Sequence, residues 1–305
     1  MNRPINQHWV PRFYLKHFST LETKKSKQPQ AWVFSKDDGG GAPILTNIRN
    51  ICAKRYLYSP ETEAGLRDWS LESKLQGLEN RLAQIWPAFA EDFIDLNAES
   101  IRKVVALFVA VLYLRHPSNI EVVTHLHQRL VSIFEEAPRD ADGAPLIDEI
   151  EIDGNRVPFD PSGWREYKEW NKTEHHKFFV RVVQSEAVVL ATMLLKKRWS
   201  VISSDGPVFV TSDNPVSKQH QSRSLFGFGT EGVIVTFPIS PTRLLVMDDL
   251  FEQRTGQYYE LSNSGPGPYN LLIWRNGNLM ISHRNSDAVM SEMVEWADRH
   301  QSEHE

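Results

Sequence analysis

The sequence predicts an α+β fold: a central helical layer with one buried helix, packed on a largely antiparallel sheet formed mainly by C-terminal hairpins and an N-terminal strand pair. Three observations carry this. Apolar residues recur at helical spacing across residues 62–136. Short β-type runs bounded by turn dipeptides crowd residues 199–282. Helices cluster in the middle and strands at the end, the order expected of segregated rather than alternating elements.

Taken in order, residues 6–19, "NQHWVPRFYLKHFS", begin the ordered chain, with Trp9, Phe13, Leu15 and Phe18 as core anchors. The polar segment "STLETKKSKQPQ" follows and is expected at the surface. "AWVFSKDDGGGAPILTNI" reads as two strands around a Gly-rich turn. Residues 62–86 read as a helix: Leu71, Leu75, Leu78, Leu82, Ile85 and Phe89 recur at steps of four and three, and Pro87 is expected to end or kink it. Residues 99–115 read as the buried helix, stopped by "HPS", and Ser118–Glu136 as another. Residues 137–163 are rich in Pro, Gly and Asp and read as an insertion carrying a hairpin that turns at Asp153-Gly154. Helix returns over 164–198, interrupted near Asn171–Thr173. Three hairpins are then expected, turning at Asp205-Gly206, Ser240-Pro241 and Asn276-Gly277, before a closing helix at Asp287–His300. The expected organisation is one domain over 1–305, with 137–163 as the seam between 1–136 and 164–305.

Composition narrows the function classes. With 41% hydrophobic and 24% charged residues the chain is globular rather than disordered. A net charge of −5 argues against a surface that is basic throughout. The single cysteine, Cys52, excludes an internal disulfide and a cysteine metal cluster, which makes a reducing cytoplasm the expected location. The longest apolar run, Val104–Leu114, is eleven residues, short of the roughly 20 needed to span a membrane, so no membrane partner is expected.

Six polar residues stand out. His8 sits beside Pro11 in an apolar stretch, where a fixed imidazole can transfer protons or ligate a metal; the plainer alternative is a buried histidine satisfied by a carbonyl or carboxylate. Asp213 and Asn214 lie in "FVTSDNPVS", a strand end closed by Asn214-Pro215. A carboxylate there can hold a divalent cation or orient a histidine, or it can cap the turn's backbone. Glu72 and Glu79 are seven residues apart on the predicted helix, so both lie on one side, about 10 Å apart along the axis. Their expected partner is Arg115, at the end of the buried helix; Arg115 could equally bind a phosphate or carboxylate. His125/His127 and His175/His176 are spaced so that neither pair can share a metal easily. "GFGTEG" lacks the strand and helix context of a dinucleotide loop, and the basic clusters Lys24–Lys27 and Lys196–Arg198 read as solvated faces.

"QHWVPRFYLKHFS", "LENRL", "LFVAVLYLRHP", "FVTSDNPV" and "VTFPISP" together resemble the bacterial family called domain of unknown function 4238. Trp9 stands where that family usually has Tyr, and Ile239 where Leu is usual. The resemblance implies that His8, Pro11, Glu79, Arg115, Asp213 and Asn214 belong to one pattern. The working expectation is a hydrolase, nuclease-like or phosphodiesterase-like, serving as a bacterial toxin or defence effector. In it His8 transfers protons, Asp213 with Glu79 and His8 holds Mg or Mn, Asn214 completes the pocket, and Arg115 stabilises anionic charge on a nucleic acid or nucleotide. The alternative is a non-catalytic binding or sensor module in which the same His, Glu, Arg and Asp form a structural network.

Overall fold

A computed structural model describes residues 3–36, 42–141, 143–147, 149–152, 155–158 and 160–301. The opening stretch forms a short strand, β1 (Asn6–His8), and one turn of helix, α1 (Arg12–Leu15), which Pro11 starts with its fixed φ of −63°. Two strands follow, β2 (Gln30–Ser35) and β3 (Ile44–Asn47), then β4 (Ala53–Arg55). The helical layer is α2 (Ser70–Glu91), α3 (Glu99–Leu114) and α4 (Ser118–Glu135). A hairpin, β5 (Glu149–Ile152) and β6 (Asn155–Pro158), precedes α5 (Trp164–Lys168) and the long α6 (Lys172–Lys196). The remainder is β7 (Arg198–Ser203), β8 (Thr211–Ser212), β9 (Ser217–Gln219), β10 (Ile234–Ser240), β11 (Arg243–Asp248), β12 (Gln257–Glu260), α7 (Gly267–Asn276), β13 (Leu279–Ser282) and α8 (Ser286–Gln301).

The architecture is α+β, with the strands divided between two larger sheets. One has the order β12-β7-β11-β10-β9 and is antiparallel except for β12 beside β7. The other, β3-β2-β13-β8, joins the N-terminal pair to C-terminal strands. The pair β2/β3 and the β10/β11 hairpin at Ser240-Pro241 follow the sequence expectation. So does β5/β6, whose Asp153-Gly154 turn lies outside the described residues, as does the Gly-rich turn at 37–41.

Two expected hairpins do not form. The strands flanking Asp205-Gly206 part company: β7 joins one sheet and β8 the other. Between them the backbone N–H groups of Val208 and Phe209 both bind the Pro241 carbonyl, which carries the chain across. The Asn276-Gly277 turn ends α7 rather than linking strands. Leu271–Trp274 is helical there, because a short apolar run serves a buried helix turn as well as a strand. Helix α2 begins at Ser70, later than expected, and runs through Pro87 to Glu91. Pro87 removes a single backbone N–H, a loss that burial of Trp86, Phe89 and Ala90 outweighs.

The core is built on aromatic rings. Trp86 is fully buried and meets Phe13, Tyr14, Phe89, Phe108 and Phe237 at centroid distances of 5.2–6.1 Å. Its indole N–H donates to the Ile239 carbonyl, tying the helices to β10. Helix α3 is buried along most of its length and packs on α6. By length and composition α6 could cross a membrane, and here it packs on α3 and α4. The cluster at Lys196–Arg198 is not a solvated face. Lys197 and Arg198 are buried and paired with Asp249 and Asp248, at 2.9 and 2.5 Å. Arg243 donates to the carbonyls of Phe89, Glu91 and Asp92, satisfying the end of α2 beneath the sheet. Replacing Trp86 by Ala should cost about 3–5 kcal/mol in urea denaturation; a loss within experimental error would mean that the ring cluster does not hold the layers together.

Candidate functional site

Trp9 occupies the junction that the expected site residues share. Its backbone N–H donates to the Cys52 carbonyl, and its own carbonyl accepts from Arg115 Nε at 2.7 Å. Its indole N–H donates to the Asp213 carbonyl at 3.0 Å, and its ring meets His116 edge-on, 6.1 Å between centroids. Residues 9, 115 and 213 lie far apart in the chain, so this one residue, through its backbone carbonyl and its indole, joins three segments.

Arg115 caps the end of α3 and is 1% exposed. Its Nη1 donates to Glu79 Oε1 at 2.7 Å, and its backbone carbonyl accepts from the Tyr58 hydroxyl. The pairing expected of Glu79 and Arg115 is thus present. Glu72, two turns earlier on α2, is pushed up to about 7 by burial first and then by repulsion from Glu79, against a smaller opposing pull from Arg115. Gln7 extends the network: its carbonyl accepts from the Tyr58 backbone N–H and its amide donates to Ser59 Oγ.

Asp213 is 5% exposed. One carboxylate oxygen accepts the backbone N–H groups of Asn278 and Leu279, at 2.9 and 3.0 Å. This explains Gly277. A Cβ at that position would collide with the same oxygen and with the Ser212 side chain, so only glycine admits the approach. The other oxygen faces His116 Nε2 at 3.6 Å. His116 Nδ1 accepts from the Ser118 backbone N–H and lies 2.6 Å from the Ser118 hydroxyl, which leaves Nε2 to carry the proton toward Asp213. Asn214 exchanges backbone and side-chain bonds with Asn276.

His8 does not meet Asp213 in this arrangement. Its Nε2–H donates to the Arg49 carbonyl, and burial, followed by the nearby Arg12 and Arg115 charges, lowers its pKa to about 4. The imidazole beside Asp213 is His116, which sequence reasoning treated only as a flank of the buried helix. The available signal was its place directly after Arg115 in "LRHPS". Among the described residues no group of three or more His, Cys, Asp or Glu side chains is placed to hold a metal ion, so the expected His8, Glu79 and Asp213 triad is not assembled.

An open cleft lies elsewhere. About 800 Å³ is enclosed between the C-terminal half of α4, α5, the start of α6 and the loop at residues 60–68. Trp164, Tyr167 and Trp170 form one wall, with successive ring centroids 6.1 and 4.7 Å apart. Behind it His127 stacks on Trp170 and donates from Nε2 to the Tyr167 carbonyl at 2.7 Å. His127 Nδ1 then accepts from His175 Nε2 at 3.1 Å. Burial, reinforced by His127, lowers the His175 pKa. The histidine pairing thus crosses between α4 and α6, a relation that neighbouring positions in the sequence cannot reveal.

The class defined so far is an α+β protein with a sealed polar junction and a separate aromatic cleft. The chain belongs to the DUF4238 family, described as a protein of unknown function, which matches residues 6–289. No curated protein and no solved structure matches it.

The raised Glu72 pKa sets a pH dependence. The folded state holds this proton more tightly than the unfolded chain, so the stability it contributes is complete below the unfolded value and is lost as pH rises through about 7. Glu72→Gln should therefore be more stable than wild type at about pH 8 and indistinguishable from it at about pH 4, read by urea denaturation at each pH. A difference independent of pH would contradict the assignment.

Proposed function

We propose that this chain is a non-catalytic binding module, in which the His, Glu, Arg and Asp network is a frame and the ligand enters the aromatic cleft. The observation that carries this reading is burial. Arg115 and Asp213 are 1% and 5% exposed: Arg115 spends Nε and Nη1 on the Trp9 carbonyl and Glu79 and keeps a buried Nη2 with no hydrogen-bond partner among the described residues, and Asp213 spends one oxygen on two backbone N–H groups and faces His116 with the other. A substrate would have to displace packed side chains to reach them. The cleft, by contrast, is open, falls in the size range of small-molecule sites and offers the half-buried rings of Tyr167 and Trp170, backed by the buried Trp164.

Binding to that wall should alter the fluorescence of Trp164 and Trp170. A panel of planar heteroaromatic fragments, followed by fluorescence and ligand-observed NMR, should yield binders that Trp170→Ala loses and that Glu79→Gln keeps. A panel in which no fragment binds, or in which Glu79→Gln and Trp170→Ala lose binding alike, would overturn the proposal.

A second reading has one observation in its favour. His116 and Asp213 are arranged as an imidazole oriented by a carboxylate, with Arg115 as the preceding residue, the grouping of a proton-transfer centre. On that reading the protein is a cytoplasmic bacterial hydrolase, nuclease-like and used in defence, with Mg or Mn as a candidate cofactor and His116 in the proton-transfer role expected of His8. Incubation of wild type and His116→Ala with RNA, DNA and nucleotides, with and without Mg or Mn, separates the two. Turnover lost in the variant would favour the hydrolase; no turnover by either favours the binding module.

A further inference from the structure

We infer that the aromatic cleft selects an organic cation: a planar or quaternary ammonium-type ligand whose positive charge sits between the tryptophan wall and a carboxylate rim. This rests on the binding-module reading and adds the chemical class of its ligand.

The wall comes first. Trp164, Tyr167 and Trp170 follow one another at steps of three along α5 and its C-terminal extension, so their rings come together on one side. Trp164 and Tyr167 lie 38° apart, and Tyr167 and Trp170 58° apart, so the rings are tilted rather than coplanar, with the buried Trp164 behind the half-buried Tyr167 and Trp170. Ring faces carry negative potential, and a cation within about 6 Å of a centroid is attracted to them. Aromatic faces grouped in this way recognise quaternary ammonium groups, which carry charge with little hydration to lose.

The rim supplies the sign. Glu63, Asp68, Asp160, Glu166 and Glu174 line the cleft, against two cations, Lys177 and Arg181. Lys177 and Glu174 offset one another, so the balance is Glu63, Asp68, Asp160 and Glu166 against Arg181. Lys177 donates to Glu174 at 3.0 Å, and the Arg181 guanidinium lies 5.5 Å over the Phe178 ring. Asp68 and Asp160 each commit one oxygen to a local backbone N–H, of Ser70 and Ser162. The cleft therefore combines π faces with an excess of negative charge. A neutral aromatic would gain the stacking alone.

The carboxylates come from separate elements, Asp68 before α2, Asp160 before α5, Glu166 on α5 and Glu174 on α6, so they surround the opening rather than marking one solvated face. Their attraction is partly exposed to solvent and falls with added salt, whereas the aromatic contribution does not.

The test uses the full chain and three probes of one shape: N-methylquinolinium, quinoline kept neutral above its own titration, and 1-naphthoate. Affinities are read by tryptophan fluorescence and calorimetry at low and high salt. The expected order is cation, then neutral, then anion, with about tenfold between the first two. The gap should narrow in salt and shrink several-fold in Glu166→Gln, while quinoline binds that variant unchanged. Trp170→Ala should weaken all three. Quinoline binding as tightly as N-methylquinolinium, or naphthoate binding best, would overturn the charge inference and leave the cleft as a binding site. Failure of all three to bind would overturn the binding reading as well.

Discussion

Trp9 placed between Arg115 and Asp213 is the constraint on which the rest depends. Its carbonyl and indole N–H are spent on residues from two other segments, the end of α3 and the turn after β8. Both partners are buried and charged, and the hydrogen bonds they make offset the cost of burying them, Arg115 Nη2 alone of that guanidinium's nitrogens being left without one. The opening segment therefore has one place to go. Once Trp9 is seated, Tyr14 reaches Thr211 and the Pro238 carbonyl, and Phe13 and Phe18 complete the ring cluster around Trp86. The two sheets and the helical layer meet along this line.

The consequence for function is a division of labour. Polar residues of catalytic type are drawn into the frame, where their geometry holds segments together. The cleft is built from residues that carry no such signature: three aromatics spaced along one short helix and acids scattered over four segments. On the proposed reading the residues that look chemical in the sequence serve the frame, and the open cleft is made of residues that look ordinary.

This explains which parts of the sequence were legible. The periodic leucines of α2 and the continuous apolar run of α3 identified helices, because burial of one face imposes its spacing on the chain. The Glu79–Arg115 pair could be anticipated from helix geometry and charge. His116 was passed over because its partner Asp213 lies almost a hundred residues away, and nothing local distinguishes a paired imidazole from a helix-end one. Asn276-Gly277 was read as a hairpin because the dipeptide favours tight turns, whereas glycine is required there by the approach of Asp213. Asp205-Gly206 failed for a related reason: the Pro241 carbonyl captures two backbone donors and diverts the strand. In each case a long-range contact overrode a local preference.

The central claim is that the junction around Trp9 is a sealed frame, and hydrogen exchange of the Trp9 indole N–H tests it most directly. Bonded to the Asp213 carbonyl from a half-buried ring, that proton should exchange far more slowly than a free indole and speed up as denaturant lowers the stability of the fold. Exchange at the rate of an exposed indole, in a chain that remains folded, would contradict the account.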